Sequence, residues 1–170
     1  MHKDDLRQLL IDCAAERLAI LQRHEASARV VSHYDFNNTY QYVIAREEMH
    51  VSWVADAVQD ASTALGVSDV RLEDVAEPQI TASGKGAQAS VIAQDRDGAQ
   101  AFVDKWKPLV AKMTQARHRT MLNVVLGETL EHKRFFDQIL AGREDMLGRR
   151  SNGPGSPGTG DGVLPVRWIE

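Results

Sequence analysis

Between Asp4 and about Ala26 the apolar residues Leu6, Leu9, Leu10, Cys13, Ile20 and Leu21 recur with polar residues opposite them. That spacing follows the turn of an α-helix and predicts a first amphipathic helix. A polar stretch rich in turn formers, Ser32 to Asn38, reads as a connection. The period then resumes through Tyr40, Val43, Ile44, Val51, Val54, Val58, Ala61 and Leu65, until Gly66 offers a C-terminal stop. Residues 66 to about 90 lose the pattern, contain Pro78, Gly84 and Gly86, and predict a long connection. Ala99, Phe102, Val103 and Trp106 mark a third helix, and Pro108 implies a break or kink near its end. From about Thr114 the stripe Met121, Val125, Phe135 and Ile139 defines a fourth, ending near Ala141-Gly142. The expected fold is all-α: a four-helix bundle with one long crossover between helices 2 and 3, an up-down-up-down bundle with a loose loop being the alternative.

The composition changes after Arg150. We expect a bundle over residues 1–145, a Gly/Pro/Ser-rich linker over 146–162, and a short apolar peptide over 163–170 that docks on something. At 170 residues the chain can bury a core without disulfides. Its single cysteine, Cys13, on an apolar helical face, reads as a core residue, and with no signal peptide in view the expected compartment is the cytoplasm. No apolar run approaches the roughly 18 residues of a membrane span. A net charge of −4 and a pI of about 5.9 argue against a nucleic-acid partner. Gly84-x-Gly86 lacks the context of a nucleotide loop, and no serine or cysteine stands in a nucleophile motif.

Candidate chemistry lies on the inner faces. In Ile44 to Trp53, Glu47 and His50 fall on the apolar stripe while Glu48 falls off it. An acid and an imidazole three residues apart project from one helical face and can share a metal ion; they can also satisfy each other. An ionised Glu buried without a partner costs several kcal/mol, so the pair needs a reason. The fourth helix repeats the theme: Glu128 and His132 lie four apart on its stripe, with Glu131 at the border. Glu16, between Cys13 and Ile20, is a further carboxylate candidate, and His118 reads as a core or surface histidine. Tyr40 and Tyr42 precede Glu47 as packing residues or oxidisable neighbours.

The segment Ile44 to Trp53 resembles the second-helix motif of the ferritin-like and rubrerythrin-like superfamily, and the resemblance runs over about residues 4 to 142. It implies an iron or manganese centre of two ions and oxidation chemistry with oxygen or peroxide, with zinc also compatible with the donor set. On that resemblance Glu47 is the bridging carboxylate, His50 the terminal imidazole and Glu16 the first-helix acid. The sequence departs from the family twice. The fourth-helix pair Glu128-x-x-x-His132 is one residue wider, with Thr129 where the usual Glu stands, and the third helix offers no glutamate. The expected site is therefore a variant one, metal-bound by Glu16, Glu47, His50, Glu128, Glu131 and His132 in some combination. There is no cysteine-rich electron-receiving module, so an electron-donor protein is implied, and a homodimer is expected by analogy.

Two other readings stay open. His50 with Trp53 and a late His132 is similar to the DinB family of mononuclear metal bundles, though Phe136 stands where that family places a histidine. A metal-free bundle serving interaction or assembly is the other. The tail fits it: linker plus apolar peptide resembles the targeting tails of ferritin-like cargo proteins of encapsulin shells, or covers a groove on its own bundle or a dimer partner.

Overall fold

The computed structural model describes residues 3–67, 78–81 and 86–148. It contains four helices in the expected order: α1 (Lys3–Val30), α2 (Tyr34–Thr63), α3 (Ala87–Ala111) and α4 (Ala116–Leu140). The expected linker and docking peptide lie, from residue 149 on, outside the described residues.

Neither α1 nor α2 contains a glycine or proline, and Asp4 and Asp5 in the first turn of α1 with Arg29 in its last complement the helix dipole. The turn between them is shorter than expected. Residues 34–38, read as connection, already belong to α2, because Asn37 is spent on capping: its Nδ2 donates to the carbonyls of Ala28 (2.7 Å) and Val31 (3.2 Å) at the end of α1. The two predicted glycine stops form as expected. Gly66 (φ 75°) and Gly142 (φ 78°) adopt the left-handed conformation, and paired backbone bonds (Val67 N to Ser62 O with Gly66 N to Thr63 O; Arg143 N to Gln138 O with Gly142 N to Ile139 O) close a Schellman motif at each end. Pro108 does not break the helix: α3 runs through it to Ala111. Asp104, whose carbonyl loses its amide partner, is exposed and open to water, and the helix ends within one turn.

Each helix buries a seam of alternating three- and four-residue steps, seen on α2 as Tyr40, Val43, Glu47, His50, Val54, Ala57 and Ala61, and on α4 as His118, Leu122, Val125, Thr129, His132, Phe136 and Ile139. The seams meet in two apolar plugs. One joins the start of α1 to the ends of α2 and α3 and the start of α4, with Leu10, Val54, Trp106 and Leu122 at its centre. The other joins the opposite ends through Val31, Tyr40, Ile92 and Phe136. Thus α1 and α4 run one way and α2 and α3 the other. Helices α1–α2, α3–α4, α2–α4 and α1–α3 are neighbours, so every adjacent pair is antiparallel. Because α2 and α3 are parallel, the end of α2 and the start of α3 stand at opposite ends of the bundle, roughly 37 Å apart for a 25-residue helix. Gln79, Ile80 and Thr81 lie across the α1–α3 side of the bundle, where they line a cavity with Arg23, Ser90 and Gln94. No described helix is long and apolar enough to cross a membrane.

Candidate functional site

Between the plugs the seams turn polar. At this level α1 contributes Arg17 and His24, α2 Glu47 and His50, α4 Thr129 and His132, and α3 Asp95 and Phe102, all buried. Glu47 is the hub. Its Oε2 accepts a 2.7 Å hydrogen bond from His24 Nδ1, while its Oε1 lies 3.3 Å from Arg17 Nη2 and 3.5 Å from His132 Nδ1. Arg17 touches the other three helices. Nη2 donates to His50 Nδ1 (3.0 Å), Nη1 to Thr129 Oγ1 (3.3 Å), and the guanidinium lies 4.9 Å from the Phe102 ring centroid. Thr129 Oγ1 passes its own proton to the carbonyl of Val125 (2.7 Å).

Two further acid–arginine pairs flank the hub. Glu128, its side chain 18% exposed, accepts from both Nε (3.0 Å) and Nη2 (2.6 Å) of Arg46 and from His50 Nε2 (2.8 Å). On the other side, buried Asp95 accepts from Arg23 Nε (2.6 Å) and from the Tyr40 hydroxyl (2.5 Å). The bidentate Arg46–Glu128 contact is the strong form of carboxylate recognition, whereas Arg23 gives Asp95 its Nε alone and turns Nη2 to Gln94 (3.1 Å). The rings of Tyr40 and Phe136, centroids 6.0 Å and 5.4 Å from His24, roof the layer toward the second plug.

Electrostatics follow from these contacts. Burial works against ionised Glu47, but the charges of His24 and Arg17 and the His24 hydrogen bond hold its carboxyl well below the usual range. Burial likewise works against protonated His24, and the Glu47 charge and hydrogen bond, with help from Asp95, overcome it and raise the imidazole above 6.5. His50 goes the other way, to about 4, driven down by burial and then by Arg17, against the pull of Glu128. A neutral His50 fits its contacts: Nδ1 accepts from Arg17 and Nε2–H donates to Glu128. Burial also opposes ionisation of Glu128, yet Arg46 and His50 lower its pKa. Burial and the Asp95 charge push the Tyr40 hydroxyl up, so it stays a donor.

Of the residues singled out in the sequence, Glu47, His50, Glu128 and His132 are brought together. Glu16 is not. It sits at the α1–α3 seam, where Trp106 Nε1 (3.0 Å) and Lys105 Nζ donate to it. Glu131 is exposed, lining with Tyr42, Arg46 and Glu128 an outer cavity of about 400 Å³. His118 lies among the residues of the first plug's end. Cys13 is buried in that plug, its thiol pushed up to about 12 chiefly by desolvation, which makes it inert. Arg17, His24 and Asp95 were missed; each lies on its helix's inner seam, where a polar residue is the signal.

A metal centre can be tested against these contacts. For two ions the residues do not fit: Glu16 faces elsewhere, both oxygens of Glu128 are bound by Arg46, both nitrogens of His50 are engaged, and the permanently charged Arg17 stands at the centre. The same engagement of His50 removes one histidine from a three-histidine site. Among the described residues no cluster of three His, Cys, Asp or Glu side chains is arranged to hold an ion. Glu47 Oε1 and His132 Nδ1 nevertheless face each other at 3.5 Å without a hydrogen bond, Oε1 keeping its ion-pair contact to Arg17. Comparison of the chain with family models, curated proteins and solved structures gives no match.

Proposed function

We propose that the chain is a metal-free helical bundle whose work is binding and assembly, with arginines neutralising the carboxylates that the sequence pattern had offered to metal ions. One observation carries this reading. Each acid of the polar layer has an arginine of its own: Glu47 with Arg17, Glu128 with Arg46, Asp95 with Arg23. Carboxylates neutralised in this way no longer require a cation, and a divalent ion added beside Arg17 would bring uncompensated positive charge into a dry interior. The α2–α4 side supports a binding role, since it carries cavities of about 350 and 400 Å³ and the exposed apolar residues Met49 and Val124.

A second reading rests on Glu47 Oε1 and His132 Nδ1, which lie 3.5 Å apart with no hydrogen bond between them. Glu47 and His132, with His24 on the other carboxylate oxygen, would hold one iron, manganese or zinc ion from oxygen and nitrogen donors. A redox-active ion there would supply oxidation chemistry with oxygen or peroxide. The chain's own residues would orient the ligands: Arg17 holds Glu47 and His50, and Thr129 holds Arg17.

Anaerobic calorimetric titration of the full chain with Zn²⁺ and Fe²⁺ separates the readings. The metal-free reading expects no saturable binding that depends on Glu47, His24 or His132. Stoichiometric uptake abolished by His24→Ala and by His132→Ala establishes the single-ion site instead.

A further inference from the structure

At the far end of the α2–α4 seam a cavity of about 350 Å³ opens between Trp53, Ala57 and Asp60 of α2 and His118, Met121 and Val124 of α4. This is the low end of the volume range of small-molecule sites. His118 is its anomaly. The side chain is 6% exposed, and neither ring nitrogen has a hydrogen-bond partner. Buried polar groups in native proteins are almost always satisfied, so a histidine with two open nitrogens in a cavity wall marks a place where a ligand's polar group fits.

The surroundings define that ligand. Trp53, Ala57, Met121 and Val124 give apolar walls, and Trp53 is held by Arg46, 5.8 Å from its ring, and His50, 5.6 Å centroid to centroid. Burial lowers the His118 pKa, with Asp60 opposing and Arg117 adding, which keeps the imidazole neutral near pH 7. A neutral imidazole offers one donor and one acceptor. A hydroxyl can meet either nitrogen, donating to the bare one or accepting from the N–H, whereas a carboxylate can only accept. The Asp60–Arg117 pair (3.0 Å) cancels its own charge, and Asp56 leaves the rim net negative, which disfavours anions.

We propose that this cavity is a binding site for a small neutral aromatic alcohol, of the phenol class, whose ring lies between Trp53 and Met121 and whose hydroxyl bonds to His118. The proposal stands whether or not the polar layer holds an ion, because none of the layer's acids lines this cavity. It gives the α2–α4 side a ligand as well as a surface.

The test uses the full chain and three probes of one shape: p-cresol, toluene and 4-methylbenzoate. Binding is followed by calorimetry and by the ¹⁵N resonances of the His118 ring. The expected result is saturable p-cresol binding that shifts both ring nitrogens, at least about tenfold tighter than toluene, with methylbenzoate weakest. His118→Leu should reduce p-cresol to the affinity of toluene. Val124→Trp, at an exposed position on the rim, should block all three probes while leaving His118 in place. Absence of saturable p-cresol binding, equal binding of p-cresol and toluene, preference for methylbenzoate, or binding unaffected by Val124→Trp would each overturn the proposal.

Discussion

The first apolar plug and the polar layer beside it are built on the same four seams, yet their residues hold the bundle in different ways. In the plug, Leu10, Val54, Trp106 and Leu122 each remove apolar surface from water, and each stabilises without needing a particular charged or hydrogen-bonding partner. In the layer, Arg17, Glu47, His24 and His50 are costly to bury one at a time and acceptable only together. A plug residue is therefore stabilising in itself. A layer residue is stabilising only while its partner is present, and what the layer adds is register: only one alignment of the helices lets Arg17 reach Glu47, His50 and Thr129 at once.

The largest effects should come from splitting a pair. Arg17→Leu or Glu47→Leu alone leaves a buried charge without its partner and should cost about 3–5 kcal/mol of unfolding free energy in urea. The double variant should cost far less than the sum. Additive losses would mean that the two residues do not act as a pair. Leu122→Ala, in the plug, should cost about 2–5 kcal/mol through lost burial and a cavity, and should add independently to Arg17→Leu.

Acid should act on the layer and leave the plug alone. His50 has a folded pKa of about 4 against an ordinary 6.5, so the unfolded chain gains a proton first as pH falls. Stability should drop progressively from pH 6.5 toward 4, by about 3 kcal/mol from this group. Glu47, whose pKa is depressed, adds a further loss below 4.5, down through its folded pKa. His24 has the opposite sign: its raised pKa gives stability that is full below 6.5 and fades as pH rises through the folded value. Urea unfolding across pH checks this, with His50→Leu expected to flatten the slope between 6.5 and 4. The smallest effect should be Thr129→Val, which removes one hydrogen bond to Arg17 and should cost about 1 kcal/mol.

The helix order, the long crossover and both glycine stops were legible in the sequence because each is a local signal: periodicity, its loss, or a residue able to adopt positive φ. Helix starts were less so, since the polar run 32–38 looks like a turn until Asn37 is seen capping the preceding helix. In the site, Glu47 and His50 were legible as polar residues on an apolar stripe, and likewise Glu128 and His132. Arg17 and His24 obey the same rule on the first helix. They were hidden because that helix is charged on several faces and its seam is set by partners on other helices. Glu16, one residue from Arg17, shows how far a small error in helical phase moves a side chain: it faces Trp106 and not Glu47.

The most direct measurement is the metal content of the full chain purified without chelators, with and without anaerobic loading by ferrous ion, alongside Glu47→Ala. The arginine-neutralised layer predicts no stoichiometric iron, manganese or zinc in the wild type, and a thermal unfolding midpoint indifferent to EDTA. About one ion per chain, absent from Glu47→Ala, with a midpoint lowered by EDTA, would contradict it.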